Sequence, residues 1–132
     1  MKTLQLLALS LLYLTPVSLS AQINVSDSLA LVDLYDSTNG VNWRNNTNWK
    51  TLAPVRTWAG ITVGNNRVVA INMSGNNTLG TIPASFKNLT GMLTIDLIDN
   101  GFRGDLLNYI SGFKEITSIH IGEQYLTGAL PA

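Results

Sequence analysis

The chain has 132 residues, which is enough for one ordinary domain. Eight Lys and Arg residues balance eight Asp and Glu residues, and only 12% of the residues are charged. This balance argues against a nucleic-acid binder, which would carry a basic excess. The absence of Cys excludes a disulfide scaffold, a thiol nucleophile and a thiolate metal site. A single His argues against a His-rich metal site, so we expect neither a metal nor another cofactor.

Residues 1–21 have the order of regions typical of a secretory signal. Lys2 gives a positive start, a mostly apolar run covers residues 4–14, and small residues precede Gln22. The alternative is a membrane anchor, but the apolar run is too short to cross roughly 30 Å of hydrocarbon. We therefore predict cleavage near Ala21, a secreted or cell-surface protein, and no membrane insertion once the signal is removed.

Residues 26–38 predict one helix. Ser26 or Asp27 is the expected N-terminal cap, and Asn39-Gly40 is the expected end. The apolar side of this helix is predicted to consist of Leu31, Leu34 and Tyr35, extended by Leu29 and Val32.

The three Trp residues of the chain, Trp43, Trp49 and Trp58, lie close together in the sequence. One interpretation is an aromatic platform that stacks a carbohydrate. The other is a hydrophobic lid over the segment that follows, which a stack of repeats needs at its open end. The second interpretation is favoured. After these residues, a turn at 64–66 predicts a hairpin connection into Val68.

A 24-residue repeat begins at Val68. Three segments align without a gap at that offset: 68–73, 92–97 and 116–121. The same offset relates three glycines and three amide residues: Gly80, Gly104, Gly128, Asn76, Asn100 and Gln124. Apolar residues such as Ile71 and Met73 alternate with polar ones, which is typical of a half-buried strand. Stacked repeats would pair these strands in parallel and bury each apolar side against the neighbouring repeat.

These repeats resemble leucine-rich repeats, in the plant-type version LxxLxLxxNxLxGxIP. The motifs that carry the resemblance are Gly-Thr-Ile-Pro at 80–83 and Gly-Ala-Leu-Pro at 128–131. The resemblance implies an α/β repeat solenoid with parallel β-strands on its concave face. We expect repeats at 68–91, 92–115 and 116–132, the last of them incomplete.

The segment 22–67 resembles the N-terminal cap of plant-type leucine-rich repeat ectodomains, which has a short helix, a pair of Trp residues and a W-x-G-V-like strand. Here that strand is Trp58-Ala59-Gly60-Ile61-Thr62-Val63. Cys residues flank the motif in the plant cap, whereas this chain has Arg56 and Val63 at those places. We therefore expect a helical, Trp-rich cap that holds by burial alone.

Structural roles follow from the repeat register. The side chains of Asn76 and Asn100 are expected to bond backbone groups inside the turn after each strand. The three repeat glycines are expected to form a tight bend where a side chain would crowd the next repeat. The pattern has departures: Leu79 is shifted by one position, and Gln124 replaces Asn with a side chain that we expect to be too long for the same bonds.

The outward side of the predicted strands is the candidate ligand surface. In the family that the repeats resemble, this concave face binds protein, peptide or glycan ligands. In this chain the face is predicted to comprise Asn72, Ser74, Thr94, Asp96, Ile98, Asp99, Ser118, His120 and Glu123. Ile98 is expected to be the one large exposed apolar group there and therefore the contact anchor.

The sequence offers little for catalysis. The motifs GxSxG, HExxH and the P-loop are absent. His120 and Asp96 occupy equivalent positions in adjacent repeats and could orient a base, but no nucleophile accompanies them. Asp99 and Glu123 would supply far fewer than the six to eight oxygens that calcium takes. We therefore expect neither enzyme activity nor a metal site.

The leading hypothesis is a secreted or cell-surface module that binds a protein, peptide or glycan, with no nucleic-acid partner. The alternative is a non-binding scaffold, the N-terminal fragment of a larger surface adhesin or sensor ectodomain. That alternative is motivated by the stop at Ala132, because no polar capping segment follows the third repeat. An enzyme ranks third.

Overall fold

The computed structural model of the protein describes residues 23–122 and 124–129. The predicted signal at 1–21 lies outside these residues. The helices are α1 (Val25–Ser37) and α2 (Leu106–Ile110), and the strands are β1 (Ile61–Gly64), β2 (Arg67–Asn72), β3 (Leu79–Thr81), β4 (Thr94–Asp96), β5 (Gly101–Gly104), β6 (Ser118–His120) and β7 (Tyr125–Leu126). Short 3-10 helices span Gly40–Asn42, Val55–Thr57 and Ala84–Asn88. Among the described residues, no helix combines the length and the apolar character that a membrane span requires.

Helix α1 forms where the sequence predicts it, but its cap differs. Asn24 caps the helix, because its side-chain oxygen accepts a hydrogen bond from the Ser26 N–H at 2.9 Å. The predicted caps Ser26 and Asp27 are therefore wrong, and Asp27 is fully buried instead. The predicted apolar side is also wrong at one end, since the side chain of Leu29 is 59% exposed. The buried side runs through Ala30, Leu31 and Leu34.

The buried carboxylate of Asp27 joins α1 to β2. Its two oxygens accept hydrogen bonds from Arg67 Nε at 2.9 Å and from an Arg67 terminal nitrogen at 2.8 Å, and one oxygen also accepts from the Val68 N–H at 2.8 Å. These bonds raise the pKa of the Arg67 guanidinium, against the lowering effect of its burial. The helix is thus fixed to the start of the first repeat by a charged pair that lies 40 residues apart in sequence.

The three Trp side chains are buried, each with 6% or less of its surface exposed. Their rings form a chain of contacts, with centroid distances of 4.8 Å from Trp43 to Trp49 and 5.1 Å from Trp49 to Trp58. Each indole N–H donates to a backbone carbonyl, as Trp43 does to Thr38 at 2.9 Å. Buried ring faces support the interpretation of these residues as packing groups rather than as a carbohydrate platform.

The predicted hairpin joins β1 to β2. Asn65 and Asn66 both have positive φ, of 49° and 62°, as a tight two-residue hairpin turn requires. The strands pair antiparallel, with Ile61 opposite Ile71. This hairpin therefore attaches the Trp-rich segment to the edge of the repeat sheet.

The main sheet has the strand order β1-β2-β4-β6 and follows the 24-residue register. Ile71 lies opposite Ile95, and Ile95 lies opposite Ile119, in parallel pairing. Ile71 and Ile95 are 1% exposed, whereas Ile119 is only partly buried. Repeat stacking is therefore confirmed, and each apolar row lies against the next as in leucine-rich repeats.

A second sheet, with the order β3-β5-β7, runs on the other side of the repeats. Its strands pair residues 22 positions apart, so that Gly80 lies opposite Phe102 rather than Gly104. In the first repeat, where Leu79 is shifted by one position, a different side chain is buried. Thr78 fills the inward position and is 2% exposed, while Leu79 is 57% exposed.

Gly80 is the repeat glycine with the closest contact. Its φ is 143°, and a Cβ atom there would lie 2.2 Å from the carbonyl oxygen of Ser37. The crowding predicted for this position is real, but it is directed at the preceding helix rather than at the next repeat. The equivalent glycines Gly104 and Gly128 likewise face the repeat before them.

We expect the Gly80→Ala substitution to lower the free energy of unfolding by about 2 kcal/mol, because Ala strains this backbone conformation and collides with the end of α1. Urea denaturation followed by circular dichroism measures the change. Gly112→Ala is the matched control, since nothing lies within 4 Å of a Cβ atom there. Equal stability of the two variants would contradict the assigned role of Gly80.

Candidate binding face

The outward side of the main sheet carries two parallel rows of small and polar residues. One row comprises Ala70, Thr94 and Ser118. The other row comprises Asn72, Asp96 and His120. Because side chains alternate along a strand, these rows face away from the isoleucines that fill the core. Five predicted ligand-binding residues are thereby brought onto one surface, at the spacing of roughly 4.8 Å between neighbouring strands.

Asp96 and His120 are neighbours in the second row but do not form a close pair. Their nearest oxygen and nitrogen, Asp96 Oδ2 and His120 Nδ1, are 3.9 Å apart. That distance is too long for a hydrogen bond. The His120 side chain is 65% exposed and that of Asp96 is 28% exposed. As placed, the two side chains can offer charge and hydrogen bonds to a partner, whereas Asp96 does not orient the imidazole as a base.

The turn after each strand fixes the edge of the face. Asn72 and Asp96 each accept a hydrogen bond from the N–H two residues later, at Ser74 and Ile98 respectively. Ser74 and Asp99 are exposed, as predicted for contact residues. These turns hold the polar rows in place without a ligand.

The prediction for Ile98 is partly wrong. Its side chain is half-buried rather than exposed, because its Cγ2 and Cβ atoms lie just beneath Gly122 of the next repeat. The third acidic residue of the predicted face, Glu123, lies outside the described residues. No group of three or more metal-ligating side chains occurs among residues 23–122 and 124–129.

A small polar pocket at the end of the second row contains residues that the sequence did not indicate. It has a volume of about 130 Å³ and is lined by Asn45 and Gly60 of the N-terminal segment together with Asn72 and Ser74. Beside it, an Arg44 terminal nitrogen donates to the Gly75 carbonyl at 3.0 Å. No local spacing connects Asn45 with Asn72, so only the folding of the N-terminal segment against the repeats brings them together.

Asn100 forms the predicted amide ladder between repeats, whereas the Asn76 side chain bonds the backbone N–H and carbonyl of Asn45 in the N-terminal segment. The Asn100 side chain accepts from the N–H groups of Asn76 and Thr78 and donates to the carbonyls of Met73, Leu97 and Ile98. The ladder thus satisfies backbone groups that neighbouring repeats would otherwise leave bare inside the turn.

Gln124 overturns one expectation about this ladder. It donates to the carbonyls of Leu97 and Ile121 and accepts from the Phe102 N–H. These bonds correspond, 24 residues along, to three of the bonds made by Asn100. Its longer side chain therefore still fits the turn, contrary to the expectation from the sequence.

No family model matches the chain. Two curated proteins of Arabidopsis thaliana are similar to part of it. "Probable inactive receptor kinase At3g08680" is 32% identical over 88 residues, which cover 64% of this chain and 14% of that protein. "LRR receptor-like serine/threonine-protein kinase GSO2" is 28% identical over 76 residues, which cover 57% of this chain and 6% of that protein. The chain therefore spans only a small part of the length of these relatives.

Solved structures share its fold. A plant ice-binding protein superposes with a TM-score of 0.67 at 19% identity, covering 83% of this chain and 36% of that one. The ectodomain of the Arabidopsis thaliana receptor kinase SOBIR1 has a TM-score of 0.61 at 17% identity, covering 83% and 60%. The ectodomain of the Arabidopsis receptor kinase HAESA, solved with the peptide hormone ligand IDA, has a TM-score of 0.57 at 17% identity, covering 76% and 17%. At these identities the likeness establishes the fold.

Proposed function

This chain has a leucine-rich repeat fold of the plant type. We propose that it is a recognition module, which binds a protein or peptide through the outward face of its main sheet. The proposal includes secretion or cell-surface display after removal of residues 1–21. It also includes the division into a cap at 22–67 and repeats from 68 onward.

One observation carries this proposal: three successive parallel strands place Asn72, Asp96 and His120 in a single row on the exposed side of the sheet. The opposite side of the same strands is filled by the core, so that the row is held on a rigid support. Polar residues on adjacent strands offer donors and acceptors at regular spacing, which suits an extended chain lying across the strands. Small neighbours in the other row, such as Ala70, leave room for it.

The comparisons support a protein or peptide as the partner. HAESA is described with a peptide hormone bound to its ectodomain, and the two curated relatives are named as receptor kinases. The proposal transfers only the class of ligand to this chain, because its similarity covers a small part of each of those proteins.

We expect the double substitution Asp96→Ala and His120→Ala to reduce partner capture at least tenfold, because it removes the carboxylate and the imidazole of the row. The immobilised chain is incubated with the surface and secreted fractions of its source cells, and the retained proteins are quantified by mass spectrometry. The matched control is Lys87→Ala with Lys114→Ala, two exposed residues outside the face. Thermal unfolding checks that both variants fold. Capture that survives the face substitutions would reject the proposal.

A second candidate is a scaffold role, in which this chain is the cap-bearing end of a larger surface protein. The observation that favours it is the small share of the relatives that the chain covers, 6% and 14%. The genomic sequence beyond Ala132 decides: further 24-residue repeats or another domain support this role, and an immediate stop codon contradicts it.

A further inference from the structure

An apolar cleft lies at the N-terminal end of α1, on residues that the proposed function does not use. It has a volume of about 370 Å³. Val25 and Ser28 of α1 form one wall, Val63 of β1 forms another, and the loop that contains Pro54 and Trp58 closes it. The volume falls within the range of small-molecule sites in proteins, roughly 300–1,000 Å³.

Exposed apolar side chains lie in and beside the cleft. Val25 is 68% exposed, Leu29 is 59% exposed and Leu52 is fully exposed. A shallower depression continues from the cleft and shares Ser28, Thr51 and Trp58 with it. Exposed apolar groups in and beside a concave site are typical of a surface that meets an apolar ligand.

The described residues that line the cleft carry a positive charge. Among the described residues that line it, Arg56 is the only ionisable one, and the Arg56 side chain is exposed. The ion pairs found among residues 23–122 and 124–129 do not include it. A guanidinium on the rim of an apolar cleft complements a carboxylate at the end of an apolar chain.

The volume sets the size of the occupant. The volume of about 370 Å³ lies at the lower end of the range for small-molecule sites, so that the cleft suits a short apolar chain. We propose that this cleft binds a medium-chain aliphatic carboxylate, such as decanoate, with the chain against Val25, Val63 and Trp58 and the carboxylate at Arg56. The site is independent of the outward sheet face, so that failure of either proposal leaves the other standing.

The test uses hexanoate, octanoate and decanoate, titrated below their micelle concentrations into the ¹⁵N-labelled protein. The indole N–H of Trp58, which donates to the Ala53 carbonyl at 3.0 Å, should shift, while that of Trp43, which does not line the cleft, should stay unchanged. Each added methylene should tighten the dissociation constant about fourfold.

Two matched pairs of variants locate the binding. Arg56→Gln should weaken decanoate binding roughly twofold to fivefold and leave the binding of decanol unchanged, whereas Arg103→Gln should change neither. Val25→Asp should weaken both ligands, whereas Val41→Asp, at a position that is 72% exposed and outside the cleft, should weaken neither.

Several outcomes would overturn the proposal. They are a Trp58 signal that stays fixed up to millimolar decanoate, an affinity that does not depend on chain length, and equal decanoate affinities of the wild type and Arg56→Gln. A dimer in light scattering that Val25→Asp dissolves would assign the cleft to a second copy instead. Nuclear Overhauser contacts between Trp58 and residues before Ile23, in the ligand-free chain that retains residues 1–21, would assign it to the chain's own N-terminal segment.

Discussion

Replacing Asp27 with Ala should lower the free energy of unfolding by about 3 kcal/mol. The carboxylate is fully buried and accepts two hydrogen bonds from Arg67 and one from the Val68 N–H. Its removal takes the opposite charge away from the guanidinium, which keeps its hydrogen bonds to the Asn88 carbonyl and the Thr90 hydroxyl. It also leaves the buried Val68 N–H without this acceptor, which is costly. The Arg67 side chain is 31% exposed, so that water recovers part of the loss.

Equilibrium urea unfolding of the wild type and Asp27→Ala measures this difference. The matched control is Asp36→Ala on the same helix, which removes an exposed carboxylate paired with Lys50 at 2.7 Å. Since surface ion pairs contribute little, we expect the control to change stability by about 0.5 kcal/mol or less. A similar loss in both variants would show that burial does not set the strength of the Asp27 contact.

The second large effect is expected at Asn100. Asn100→Ala should lower the free energy of unfolding by about 3 kcal/mol, because one side chain serves two backbone N–H groups and three carbonyls in the turn between repeats. The groups that lose a partner include the N–H of Asn76 and the carbonyl of Met73, both in the first repeat. Hydrogen exchange should therefore show lost protection of the Thr78 amide, whereas the Asn76 amide keeps its bond to the Met73 carbonyl.

Asn100→Gln separates the amide group from the exact length of its side chain. Because Gln124 already makes three of the equivalent bonds, we expect the Gln variant to recover about half of the stability that Ala loses. Asn88→Ala controls for loss of an exposed amide in the first repeat, at a position whose φ is not positive. If Asn100→Gln is as unstable as Asn100→Ala, a Gln side chain cannot make at position 100 the hydrogen bonds that Gln124 makes in the next repeat, which contradicts the expectation.

The predictions from sequence succeed where a residue's role repeats. The parallel pairing of Ile71 with Ile95, the amide ladder and the hairpin before Val68 all follow from a fixed spacing or a local turn signal. The predictions fail where the role of a side chain depends on a partner that is distant in the sequence. Asp27 suits a helix cap by type and position, yet it pairs with a residue 40 positions away.

For the candidate face, too, the predictions succeed at repeated positions and fail where distant segments meet. Its rows follow from the repeat register, so that the positions of Asn72, Asp96 and His120 were predictable. The half-burial of Ile98 depends on the next repeat passing over it at Gly122, and the pocket beside Asn72 depends on Asn45 of the N-terminal segment. Neither contact produces a periodic pattern in the sequence, so that neither could be predicted from it.

A 24-residue period and alternating polarity are properties of the chain alone, and they therefore predict the repeat, the strand register of the main sheet and the side of each strand that faces outward. The attachment of α1 to the first repeat, the exposure of each outward side chain and the position of the apolar cleft could be seen only in the folded chain. Those features arise from contacts between segments far apart in sequence, and such contacts are fixed only when the segments pack together.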